Sequence, residues 1–336
     1  MATRLNQVSS HLSSAQVPRV QIGVKNPEDV VIVKALRTPM TRGKKGGFKD
    51  TTADYLLGSI FKGLLERTKI DPALVEDICV GNVCPPGGGA TLARMAALYA
   101  GFPNTTSVQT VNRQCSSGLQ AVVHIAHQIQ AGMIEVGIGA GVESMTQFYG
   151  PGYRMTKDSI SPEVFAVKEA ADCLTPMGFT SENKAAKAQK EGLFDAEIYP
   201  IKTTILDKDG NTKEIVVSRD DGVRPGTTPQ TLSKLKPVFD KNGSTTAGNA
   251  SQVSDGAAAL GLSIQGKFIA AAKTGLKVDD LDIVELNEAF ASQAVYSMEK
   301  LGLDVNKLKR QDKRVGCTTM CIGGGFGMAA IFESEH

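Results

Sequence analysis

The sequence predicts an α/β protein built on a mainly parallel sheet with helices on both faces. Short β-branched or alternating runs recur between longer stretches whose apolar residues keep a helical period. The segments between successive runs are long enough for helical crossovers rather than tight hairpins. The 35 glycines cluster in loops such as Gly87-Gly88-Gly89 and Gly323-Gly324-Gly325, where backbones can approach one another or a ligand.

Residues 29–35, rich in Val and Ile, read as a buried strand that Arg37-Thr38-Pro39 breaks. Thr51-Thr52-Ala53-Asp54 opens a helix running to about Thr68. A second strand is expected over 75–83, and a glycine-rich turn leads from it into a helix over 91–100. Ser107-Val108-Gln109-Thr110-Val111 alternates as a strand, residues 119–129 carry a helical apolar face, and 136–141 read as another strand. Between 145 and 242 the periodicity weakens, apart from a hairpin expected over 203–217 around Lys208-Asp209-Gly210-Asn211. Lys202, Lys208, Lys213, Lys234 and Lys236 in this stretch suit either phosphate or a solvated surface. After Ser251 the run of small residues through Leu260 predicts a helix. Strands are then expected over 281–286, 314–320 and 328–333, the last two joined by the turn at Cys321-Ile322-Gly323-Gly324-Gly325.

Four segments follow from this order. Residues 1–28 form an N-terminal targeting segment, 29–145 a first α/β half, 146–243 a loop domain, and 244–336 the end of the first half and a second half. Residues 1–24 are polar and free of acidic side chains. Arg4-Leu5, five residues and His11-Leu12 match the spacing of a receptor-read peroxisomal import signal, which implies an import receptor as partner. The C-terminal Ser334-Glu335-His336 is not the Ser-Lys-Leu tripeptide.

The net charge of +2, from 37 basic and 35 acidic residues, gives no nucleic-acid footprint. No apolar run reaches the length of a membrane span. Six cysteines in 336 residues are too sparse for a disulfide scaffold, and no cysteine or histidine spacing suits zinc, so no metal is expected.

Cys115 falls between the strand at 107–111 and the helix that follows, at or near a helix N-terminus. Unpaired N–H groups and the helix dipole favour a thiolate there, so Cys115 reads either as a nucleophile or as a small buried residue at a tight turn.

Four ordered motifs extend the reading. They are Asn112-Arg113-Gln114-Cys115-Ser116-Ser117-Gly118, the segment from Ser244 to Ser251, Asn287-Glu288-Ala289-Phe290, and Cys321-Ile322-Gly323. Arg37-Thr38-Pro39 and Gly141-Val142-Glu143-Ser144-Met145 join them. In order and wording the set resembles the peroxisomal branch of the thiolase family, from about residue 29 to the C-terminus. The resemblance implies a thiolase fold: two βαβαβαββ halves in a five-layered αβαβα arrangement with a loop domain, here with the second half shortened. It also implies a homodimer and thiolytic cleavage of a 3-ketoacyl-CoA in β-oxidation, with acyl-CoA and CoA bound as substrates and no cofactor. On the same ground Cys115 matches the acyl-accepting nucleophile and Cys321 the acid/base cysteine. Asn287 and the backbone of Gly323 match oxyanion donors, and Ser251 matches a serine touching the pantetheine arm of CoA.

The sequence departs from the family in one chemical respect. The family's Gly-His-Pro segment, between Asn-Glu-Ala-Phe and the second cysteine, has no counterpart, because residues 303–308 pass directly into 309–314. Segments after Thr180-Ser181-Glu182-Asn183 and around 256–275 are also short against the pattern. His124 and His127 lie nine and twelve residues beyond Cys115 on its own helix, about 13 Å or more along the axis, too far to replace that histidine. Two function classes follow: a thiolase enzyme, or a thiolase-fold protein that binds CoA or pairs with another subunit without turning over.

Overall fold

The computed structural model describes residues 22–27, 29–150, 157–168, 170, 195–221, 235–236, 253–270, 278–287, 291–303, 314–322 and 326–334. The import-signal residues and the segment from Ser244 to Ser251 lie outside them.

In chain order the described elements begin with β1 (Val31–Arg37), β2 (Thr41–Arg42), α1 (Ala53–Thr68), β3 (Asp77–Gly81) and α2 (Ala90–Ala100). They continue with β4 (Ser107–Val111), α3 (Ser117–Gln130), β5 (Gly137–Ser144) and the hairpin β6 (Ile201–Leu206) and β7 (Thr212–Val217). The last are β8 (Ser254–Ala270), β9 (Ile283–Glu285), α4 (Ala291–Leu301), β10 (Val315–Ile322) and β11 (Phe326–Ser334). Nine of the strands form one sheet in the order β4-β3-β5-β8-β11-β10-β9, with β1 and β2 also paired to β8.

The sheet is mixed, which corrects the expectation of a mainly parallel one. Parallel pairing joins β3 to β4, β3 to β5, and β9 to β10. The pairs made by β8, and the β10–β11 pair, are antiparallel. Three residues separate β10 from β11 in the chain, and only antiparallel strands can be joined so closely.

A second correction concerns residues 254–260, expected as a small-residue helix. They open the 17-residue strand β8. Ala257 and Ala259 are buried while Ala258 between them is exposed. The alternation is real, but alanine at every position hides it from a hydrophobicity reading. Backbone pairing on both sides, to β5 through Gly139–Ser144 and to β1 through Lys34–Arg37, outweighs the helical preference of alanine.

The sheet repeats itself about β8. The first half runs β4-β3-β5-β8-β1 and the second runs β9-β10-β11-β8 with the same senses. β8 therefore closes the first half and opens the second. The strand that would stand where β4 stands has no counterpart in the second half among the described residues. That is the half in which the sequence lacks the Gly-His-Pro segment.

The main core lies between the first half-sheet and α1 and α2. Leu56, Leu57, Ile60 and Phe61 from α1 pack with Ile78, Val80, Ala93, Ala97 and Ile138, all with little or no exposure. A smaller cluster of Val123, Ala126, Phe268 and Ala330 joins α3 to β8 and β11. The β6–β7 hairpin forms as expected and docks on this half. Lys202, Lys208 and Lys213 on it, and Lys236, are exposed.

Candidate active site

The turn from β4 into α3 presents Cys115. β4 lies beside β3, and α3 packs back across β3 so closely that a Cβ on Gly81 would sit 2.3 Å from the carbonyl carbon of Ser117. Only glycine permits that approach. It brings the start of α3 onto the end of the sheet.

Gln114 takes a left-handed conformation, with φ of 50°. Its N–H donates to Asn112 Oδ1 at 3.0 Å. Its carbonyl accepts from Ser117 N and Ser117 Oγ at 3.0 and 2.6 Å. Ser117 Oγ in turn accepts from Arg113 N at 2.9 Å. Local hydrogen bonds thus offset a backbone conformation that costs a non-glycine residue about 1 kcal/mol or more. Cys115 follows, one residue before the helix cap Ser116, and it is exposed. The buried-turn alternative for this cysteine is thereby excluded.

Cys321 arrives from the other half, near the end of β10. Its thiol hydrogen-bonds to Cys115, and that bond, with burial, holds its pKa well above the ordinary thiol range. Cys321 is therefore held in its protonated form beside the Cys115 sulfur. The Cys321 N–H donates to Asn287 Oδ1 at 3.2 Å. Asn287 is itself set by the end of β9: its N–H donates to Thr319 Oγ1 at 3.1 Å, and Thr319 Oγ1 donates to Glu285 O at 3.2 Å. Using its carboxamide oxygen this way leaves its NH2 group with no hydrogen-bond partner among the described residues, available to a substrate or a water. Cys115, Cys321 and Asn287 are thus brought together from two halves of the chain. Gly323 and Ser251 lie outside the described residues.

Two groups at this site carried no assigned role in the sequence. Glu143, near the end of β5, accepts from Val83 N at 2.9 Å and from Cys84 N at 3.3 Å. Burial pushes its carboxyl above the usual range, against the effect of those bonds. Cys84 is pushed up to about 12 by burial, by Glu143 and by Cys115. A lone acid in a strand of small residues was the available signal for Glu143; nothing local marked Cys84. The remaining described thiols are less available: burial pushes Cys79 up to about 12, helped by Asp77, and raises Cys317.

His124 sits against Cys79 and not at the Cys115–Cys321 pair. His124 Nδ1 stands 3.9 Å from Cys79 Sγ, and burial, followed by Arg113 and His127, pulls its pKa below the usual value. Among the described residues no group of three or more His, Cys, Asp or Glu side chains could hold a metal ion. No described helix is long and apolar enough to cross a membrane.

The family model "Thiolase, N-terminal domain" matches residues 30–182 and 178–264, and "Thiolase, C-terminal domain" matches 258–309. The peroxisomal 3-ketoacyl-CoA thiolase of Yarrowia lipolytica is 41% identical over 420 aligned positions, covering 99% of this chain and 100% of the relative. Its human counterpart is 42% identical, covering 91% of each. Because 420 positions exceed the 336 residues here, the Yarrowia relative carries segments that this chain lacks. The solved dimeric peroxisomal thiolase of Saccharomyces cerevisiae matches with a TM-score of 0.81 and 37% identity, covering 93% of this chain and 99% of that one. A second structure of a yeast peroxisomal 3-ketoacyl-CoA thiolase matches with a TM-score of 0.70 and 32% identity, covering 94% of this chain and all of that one. It is described as five α-β-α-β-α layers built from two core domains of identical topology.

Proposed function

Because this chain belongs to the thiolase family, with its five-layered α/β fold, we propose that it cleaves a 3-ketoacyl-CoA with CoA in the peroxisome, giving acetyl-CoA and an acyl-CoA two carbons shorter. The observation that supports this best is the hydrogen bond between the thiols of Cys115 and Cys321, with Asn287 held against the Cys321 amide.

The Cys115 sulfur attacks the 3-keto carbon, and the bond to carbon 2 breaks. The acyl group remains on Cys115 as a thioester, and the electron pair leaves with carbon 2 of acetyl-CoA. Cys321, kept protonated beside Cys115, supplies the proton to that carbon. The resulting Cys321 thiolate takes the proton of incoming CoA, whose sulfur displaces Cys115 from the acyl group. The Asn287 carboxamide, directly or through a water, and the Gly323 N–H stabilise the oxyanions, each donor lowering the barrier by about 3 kcal/mol. Ser251 contacts the pantetheine arm. CoA is a substrate, and the reaction needs no further cofactor. An import receptor reads Arg4-Leu5 and His11-Leu12, and the protein acts as a homodimer, as the yeast structure does.

Without the Gly-His-Pro histidine, Cys115 lacks the family's base for its first deprotonation. General-base catalysis contributes about 10²–10⁴ in rate. Thiolysis of acetoacetyl-CoA by the purified chain is expected to be slower than that of a relative carrying the histidine by about that factor. It should fall to the uncatalysed rate in Cys115→Ala. Cleavage as fast as the relative's contradicts the role assigned to the missing histidine; cleavage that survives Cys115→Ala contradicts the mechanism.

A further inference from the structure

A continuous hydrogen-bonded path runs from Glu143 to the nucleophile turn. The Glu143 carboxylate holds the N–H groups of Val83 and Cys84. The carbonyl of Val83 accepts from Asn112 Nδ2 at 3.3 Å. The other end of the same side chain, Asn112 Oδ1, accepts from Gln114 N at 3.0 Å. Asn82 N, just before this loop, donates to Val111 O at 3.2 Å, so the loop is bonded to the end of β4 twice. Gln114 is the left-handed residue immediately before Cys115.

A half-buried carboxylate with a raised pKa is costly to keep beside a thiol, and a strained turn needs fixing from outside. The path joins these two features. We infer that Glu143 is a positioning residue for Cys115: through the 83–84 loop and Asn112 it locks Gln114 in its left-handed conformation and so fixes the direction of the Cys115 sulfur. This rests on Cys115 being the nucleophile. Glu143 is not placed in contact with substrate and takes no proton in this role. Its carboxylate presents Oε2 to the Val83 N–H and both oxygens to the Cys84 N–H, whereas a carboxamide keeps only one of the two oxygens as an acceptor. The amide of Glu143→Gln would turn a donor towards a donor.

The test is the second-order rate of iodoacetamide alkylation on the full chain, read cysteine by cysteine by peptide mapping, with Cys317 as internal control. Glu143→Gln, Asn112→Ala and the double variant are compared with the parent, each checked for the parental melting profile. Glu143→Gln and Asn112→Ala are each expected to slow Cys115 alkylation about tenfold, the scale of one charge-assisted hydrogen bond, and to leave Cys317 unchanged. Because both act on one path, the double variant should be no slower than Asn112→Ala alone. A general loosening of the fold would instead change Cys317 and add in the double variant. If Glu143→Gln does not fold, Asn112→Ala and Asn112→Asp carry the test. Asn112→Asp keeps the acceptor for Gln114 but loses the donor to Val83, so it should be slowed as Asn112→Ala is. Parental Cys115 reacting no faster than Cys317 overturns the nucleophile reading and this one with it. A fast parental Cys115 with unchanged variants, or additive losses, overturns the positioning role alone.

Discussion

At the scale of single residues, the site is an arrangement of unequal thiols. Cys115 is exposed one residue before a helix cap, while Cys79, Cys84, Cys317 and Cys321 are each held above the ordinary thiol range. Only thiolate reacts with an alkylating agent, so these shifts decide selectivity. At pH 7.5 a limiting dose of iodoacetamide is expected to label Cys115 first and to leave Cys79 and Cys84, both pushed up to about 12, unmodified; preferential labelling of either contradicts this. His124 gives a second prediction at this scale. Its pKa is lowered in the fold, so below about pH 6.5 the unfolded chain takes up the proton first. Stability is therefore complete above that value and falls as pH drops towards the lowered one. His124→Gln should flatten the acid side of the melting temperature against pH; an unchanged slope would refute it. Cys115, Cys321 and Asn287 were legible in the sequence because they stand in spaced motifs. Glu143 was quoted in a motif without a role, because its partners Val83 and Cys84 are some sixty residues away and only the pairing of β3 with β5 brings them near.

Elements position these residues with little tolerance. Gly81 lets α3 lie on β3, and a methyl group there meets backbone rather than a mobile side chain. Gly81→Ala is expected to cost about 3 kcal/mol in urea unfolding and to slow Cys115 alkylation, because the turn moves with the helix. A loss under 1 kcal/mol would mean that α3 can shift freely. The strands around this helix were legible from alternation and β-branched runs. β8 was not, since Gly256–Ala259 in its first half offers only glycine and alanine and only its neighbours on both edges make it a strand.

For the whole molecule, β8 is the shared member of both halves, and the loop region is clamped to the first. Arg37 binds Asp220 through two nitrogens at 2.8 and 3.1 Å and Glu197 at 3.0 Å. Asp220 and Asp221 also accept the N–H groups of Met40, Arg42 and Gly47. None of this long-range pairing is visible in local sequence patterns. Because β8 serves both halves, the fold should melt as one unit. Ala259→Pro, which removes a donor from the middle of the sheet, is expected to abolish amide protection in β3–β5 and β9–β11 together. Retention of protection in one half would show that the halves fold separately. The central claim, that two halves unite to make Cys115 an acyl acceptor, is tested most directly by a single measurement. The chain is incubated with acetyl-CoA, quenched in acid and mapped by mass spectrometry. The account predicts one acetyl thioester, on Cys115, absent in Cys115→Ala. Acetylation of Cys84, Cys317 or Cys321 instead, or of no cysteine at all, would contradict it.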